Sequence, residues 1–207
     1  GHDADAFNRW EASQALATEL LLEMAGNAKA GAAPKADPIY LKAIGEALVH
    51  ADDDHAFAAQ MLVPPLESEI ALKMTPADPD AINAARVALI RAVQSAHGNT
   101  IQRLYNALDS AGEFSPEAKP AGRRALRNVL LRYLTSADDE AAGTLADTHY
   151  RKATNMTDMI AGLAALTRME SPKRQAAFDH FHDRFKANPL VLDKWMALQA
   201  GSSLPGT

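Results

Sequence analysis

Seven histidines hold most of the potential for metal binding or proton transfer in this 207-residue sequence: His2, His50, His55, His97, His149, His180 and His182. None opens a His-Glu-x-x-His pattern, the spacing that sets two imidazoles on one helical face. His180 and His182 are two positions apart and diverge by about 200° around a helix, so a helical metal site is not expected there. The densest donor set is His50, Asp52, Asp53, Asp54 and His55, which a loop could converge on a hard cation. Acids just ahead of a helix are also what its dipole favours, and we read them as the start of the next helix.

Nucleophilic chemistry has as little support. No Gly-x-Ser-x-Gly elbow occurs, and the serines fall mostly at helix starts or in the C-terminal tail. Without a P-loop or a Gly-x-Gly-x-x-Gly turn there is no phosphate cradle to propose. The run Asp138-Asp139-Glu140 reads as a solvated helix N-terminus rather than an acid–base pair. Trp10 and Trp195, with Phe178, Phe181 and Phe185, have the chemistry of a groove lining, but aromatics at helical spacing are expected in the core or between helices. No catalytic, cofactor-binding or metal-ligating residue is therefore assigned.

A chain of this length buries roughly 70% of its unfolded surface, and its 47% hydrophobic content is ordinary for a globular protein. The absence of cysteine excludes disulfides, thiolate catalysis and every cysteine-containing zinc site. It agrees with a reducing compartment, so the cytoplasm is the expected location. No stretch approaches the roughly 20 apolar residues that span a bilayer. Asp3, Asp5, Arg9 and Glu11 stand where a signal peptide would be apolar. A net charge of -5 opposes binding to nucleic acid. Arg123, Arg124, Arg127 and Arg132 are expected to form the solvated or salt-bridged back of an amphipathic helix.

Apolar residues recur at intervals of three and four, and no alternating β-branched run suggests a sheet; the class is all-α. Leu126, Val129, Leu130, Tyr133 and Leu134 stack on one helical face opposite those arginines. Asp37-Pro38, Asp78-Pro79, Ser115-Pro116 and Ser171-Pro172 each set an oxygen-bearing cap before a proline suited to the first helical turn. Asn155-Met156-Thr157-Asp158 resembles a capping box; it also fits a glycosylation acceptor, a reading set aside without a secretory signal. These signals predict helices over 5–28, 38–50, 53–62, 66–74, 79–111, 116–136, 138–152, 156–170, 172–187 and 190–200. Gly31-Ala32-Ala33-Pro34 is read as a loop, Gly112 with Pro116 and Pro120 blurs one start, and Gly98-Asn99 is expected to loosen the long helix. Short turns make successive helices antiparallel neighbours, and an irregular stacked α-α superhelix in a single domain over 1–207 is the expected architecture.

Five segments share an order and rough spacing with a known family: Phe7-Asn8-Arg9-Trp10-Glu11-Ala12, Asp78-Pro79-Asp80-Ala81-Ile82, Ala125 to Asn128 with Leu131 to Leu134, Asn155 to Asp158, and Asp193-Lys194-Trp195 with Leu198-Gln199-Ala200. Together they resemble the start of the helical C-terminal domain of the bacterial M1 zinc aminopeptidases. The resemblance runs nearly end to end and implies a fragment of that domain truncated at both ends. The family's His-Glu-x-x-His motif, its later glutamate ligand and its Gly-x-Met-x-Asn motif lie in a preceding domain and have no counterpart here. No zinc or catalytic residue carries over, and zinc is implied for the parent alone.

What the resemblance implies is a non-catalytic helical domain that packs over the catalytic domain and limits access to peptides with free, flexible ends. The implied partners are the parent's remaining domains and its peptide substrates. The parent would release N-terminal residues from peptides, with zinc polarising the scissile carbonyl and activating water. Two other readings stand beside it: an independent α-solenoid interaction module, and a self-contained metal hydrolase built around His50 to His55.

Overall fold

In the computed structural model, residues 5–109, 114–137, 139–202 and 204 are described. They form ten helices and no strand: α1 (Ala6–Lys29), α2 (Pro38–Val49), α3 (His55–Leu62), α4 (Glu67–Ala71), α5 (Pro79–Ala107), α6 (Ala118–Leu134), α7 (Glu140–Lys152), α8 (Met156–Leu166), α9 (Pro172–Phe185) and α10 (Pro189–Ala200). The arrangement is an irregular solenoid-like stack of helices. His2, Ser110 to Glu113 and Asp138 fall outside the described residues, as do parts of the predicted spans that run through them.

Side-chain oxygens begin most of these helices. Asp5, Asp37, Asp54, Asp78, Asp139, Asn155 and Ser171 each accept from a backbone N–H in the first turn that follows. Asp158 departs from a true capping box: its carboxylate accepts from the Asn155 side-chain amide at 2.8 Å rather than from the cap backbone.

Several predicted boundaries shift. The Ser115 hydroxyl accepts from the Glu117 N–H at 3.3 Å, forming a turn ahead of the helix, so α6 begins at Ala118 with no side-chain cap. Beyond Ala71 the backbone tightens, with Lys73 bonding Ile70 and Met74 bonding Ala71, so the helix predicted to reach 74 stops early. The helix predicted to reach 170 ends at Leu166, where the Thr167 hydroxyl folds back to the Leu163 carbonyl. At the end of α5, Arg123 donates to the carbonyls of Ala107 and Leu108 and closes the last turn. Gly98 does not loosen α5, which runs unbroken through it.

Two apolar clusters organise the stack. The larger is built by α1 to α6, with Met24, Ile44, Leu62, Ile70, Leu89 and Leu130 among its buried side chains. The predicted stripe on α6 contributes to it: Leu126, Leu130 and Tyr133 are buried, and Val129 and Leu134 pack at its edge. The smaller is built by α7 to α9, around Tyr150, Leu163, Phe178 and Phe181, with α10 packed against it through Val191, Trp195 and Leu198. Contact between α6 and α8 joins the two, and Ala165 packs against both. At Gly162 the α7 and α8 backbones come so close that a Cβ would lie 2.8 Å from the Tyr150 nitrogen.

The accessible surface is 11646 Å², against roughly 9,400 Å² for a compact monomer of 22.2 kDa. Apolar side chains contribute to the excess: Ile39, Val49, Leu72 and Leu190 are all at least 70% exposed.

Candidate functional site

The residues singled out by chemistry are held in local contacts. His50 Nδ1 lies 3.2 Å from Asp53, His55 Nε2 lies 3.6 Å from Asp52, and Asp54 caps α3. The three acids thus face three separate partners rather than one point. Among the described residues no three His, Asp or Glu side chains converge as metal ligands, and this donor set does not fit a zinc ion. His182 sits beside Asp183 and against the Trp195 ring, whose centroid is 5.1 Å away. Phe178 and Phe181 are buried, Phe185 lies tilted against Phe181, and the Trp195 indole N–H donates to the Phe178 carbonyl at 3.0 Å. Trp10 pairs with Phe7, 5.9 Å between centroids. Phe178, Phe181, Phe185 and Trp195 are packing elements of the smaller cluster, whereas Trp10 is half-buried beside the exposed Phe7.

Two tyrosine–histidine pairs tie helices together. Tyr105 on α5 bonds His149 Nδ1 on α7 at 2.8 Å, and Tyr150 on α7 bonds His180 Nδ1 on α9 at 2.7 Å. His149 is 3% exposed. Burial first, then the Arg127 charge, pushes its pKa down to about 4, so the imidazole is neutral near pH 7.

The α6 arginines divide their work. Arg123 closes α5, Arg124 lies over the Phe114 ring, and Arg127 pairs with Asp109 at 2.9 Å while covering the Tyr105 ring. All are half-buried, so the face is salt-bridged and packed more than solvated. Arg132 points elsewhere, into a cavity of about 720 Å³ bounded by α5, α6, α8 and the residues after α10.

That cavity brings charged side chains of both signs together. Arg86, Arg91, Arg132 and Arg168 line it against the carboxylates of Glu67 and Asp80. Arg86 is only 5% exposed. Its Nε lies 3.5 Å from Glu67, an ion pair without hydrogen-bond geometry. Burial lowers the Arg86 pKa, opposed by Glu67. Burial, then Arg168 and Arg86, push that of Arg132 down to about 10; both remain cationic near neutral pH. Arg91 is anchored, donating to the Ser136 carbonyl at 3.1 Å.

This cluster leaves no local mark in the sequence, because its members come from three helices and a turn far apart in the chain. One signal was available: Arg86 stands among Ile82, Ala85, Leu89, Ile90 and Val93, on the buried face of α5. A cation in register with an apolar stripe needs a partner there.

The chain matches, over residues 1–207, the model of a family described as a domain of unknown function (DUF3458_C) with ARM repeats. It is 41% identical to aminopeptidase N of Caulobacter vibrioides over 99% of its own length, and 33% identical to aminopeptidase N of Escherichia coli over 97%. In each case it spans only 23% of the relative. The fold matches that of Legionella pneumophila aminopeptidase A, solved in complex with aspartic acid, at a TM-score of 0.82 and 20% identity, over 98% of this chain and 24% of that one. A full-length family match, two close sequence relatives and a shared helical stack agree: the chain belongs to the DUF3458_C ARM-repeat family and is the C-terminal helical domain of aminopeptidase N homologues.

Proposed function

We propose that this chain is a non-catalytic domain of an M1-family zinc aminopeptidase, packing over the catalytic domain and restricting which peptides reach it. The observation that carries the reading is the 41% identity sustained along nearly the whole chain to under a quarter of an aminopeptidase N. In that reading residues 1–207 act as one helical domain. The parent releases N-terminal residues from peptides in the cytoplasm, and its other domains hold the zinc.

The surface supports such packing. Exposed Ile39, Val49, Leu72 and Leu190, together with the large accessible area, offer apolar ground for neighbouring domains to cover. The partners are accordingly the rest of the parent and its peptides. Nucleic acid is disfavoured by the net charge of -5. Among the described residues no helix is long and apolar enough to cross a membrane.

Three measurements test the proposal. Alanine and arginine p-nitroanilides should not be turned over by this chain, and dialysed protein should hold no stoichiometric zinc; zinc-dependent turnover surviving repurification would overturn the reading. In the parent enzyme, removing this domain should narrow the rate gap between a tripeptide and a folded protein with the same N-terminal residue. An unchanged gap would overturn the access role.

A further inference from the structure

The arginine cavity has more positive charge than its own walls answer. Four guanidinium groups face two carboxylates. Among the described residues, Arg86 Nε and Nη1 and Arg132 Nε have no hydrogen-bond partner although each is buried. A buried, unpaired N–H on a cation costs more than most single contacts contribute. Arg86 and Arg132 also repel each other and Arg168, since each neighbouring charge acts against the protonated form of Arg132. Such an arrangement persists most comfortably where an anion completes it.

The walls restrict what that anion is. Ala161, Ala164, Ala165, Val87 and Ile90 supply an apolar lining beside the charges. A bare inorganic oxyanion would leave most of the roughly 720 Å³ unfilled and would exchange its hydration for aliphatic surface. A carboxylate on an apolar body meets both requirements, since guanidinium forks pair with carboxylate oxygens two at a time while the body lies against the alanines.

We propose that the cavity between α5, α6 and α8 is a carboxylate-binding site, in which Arg86, Arg132 and Arg168 receive an organic acid whose apolar portion rests on the alanine face of α8. Glu67 is the internal competitor, since it already stands beside Arg86. The carboxylate belongs either to a free small acid or to an acidic peptide, and these share the same recognition chemistry.

The experiment is calorimetric titration of the 207-residue chain with adipate, its neutral isostere adipamide, and inorganic phosphate. Saturable one-to-one binding of adipate, with none of adipamide and weaker binding of phosphate, is the expected result. Arg168 is exposed, so Arg168→Gln should fold normally and weaken adipate about tenfold or more. Arg132→Gln should do the same. Glu67→Gln should tighten binding several-fold, a gain that misfolding does not produce. A parallel titration with acetyl-Leu-Glu identifies the source, tighter than adipate for a peptide and weaker for a small acid. Absence of saturable heat, equal binding of adipamide or phosphate, or affinities unmoved by all three substitutions would each overturn the proposal.

Discussion

The hydroxyl of Tyr133 on α6 donates to the carbonyl of Leu62, the last residue of α3, at 2.6 Å inside the larger core. A helix C-terminus leaves carbonyls without partners inside the helix, and here a side chain from a helix 71 positions later serves one of them. Burial raises the Tyr133 pKa far above its usual range, so the phenol stays a donor at any pH the fold survives. Tyr133→Phe should keep the shape and cost about 1–2 kcal/mol, read from urea midpoints. An unchanged midpoint would mean the Leu62 carbonyl finds another donor.

Glycines at two helical positions should answer oppositely to alanine. At Gly162 a new Cβ would meet the Tyr150 backbone and Cβ at under 3.0 Å, and neither can swing aside. Gly162→Ala should therefore cost about 1–3 kcal/mol, despite better helix propensity. At Gly26, exposed on α1, nothing lies within 4 Å. Gly26→Ala should gain up to about 1 kcal/mol. Thermal melts of the two variants should move in opposite directions.

Acid should weaken the fold through His149. In the folded protein its pKa lies at about 4, against about 6.5 when exposed in the unfolded chain. Between those values the unfolded chain takes up a proton that the folded chain refuses. This contribution is complete above pH of about 6.5 and is lost as pH falls toward 4, a total near 3 kcal/mol. Denaturation curves across that window should show the slope, and His149→Gln should flatten it.

The helix starts give a sharper test of local rules. Asp139 accepts from the Ala142 N–H at 2.7 Å, so Asp139→Ala should cost about 1 kcal/mol. Ser115 has the same look in the sequence, but its hydroxyl serves a turn before α6. Ser115→Ala should shift the melting midpoint much less than Asp139→Ala. Equal losses would show that Ser115 caps α6 after all.

That contrast marks how far the sequence could be read. Helix class, helix order and most starts were legible, because caps such as Asp37, Asp78 and Asn155 act on N–H groups within three residues. Helix ends were less so. The stop of α5 depends on Arg123, and the early stop of α8 on a hydroxyl folding back within its own last turn. The arginine cavity was illegible for the same reason on a larger scale: Arg86, Arg132 and Arg168 meet only through tertiary packing. The histidine cluster at 50–55 was legible as a helix start, since Asp54 takes the capping role and leaves His50 and His55 to separate neighbours.

The division into two apolar clusters has a consequence for synthesis. Helices α1 to α5 share a core whose central filling, Leu126, Leu130 and Tyr133, is supplied by α6. Until α6 leaves the ribosome, the preceding hundred or so residues have no complete interior and offer apolar faces to chaperones and proteases. The later helices wait less: α7 and α8 pack on each other as they emerge, and their cluster is completed when α9 brings Phe178 and Phe181. Nascent chains halted before α6 emerges should be cut readily, and protection should arrive in two steps, one with α6 and one with α9.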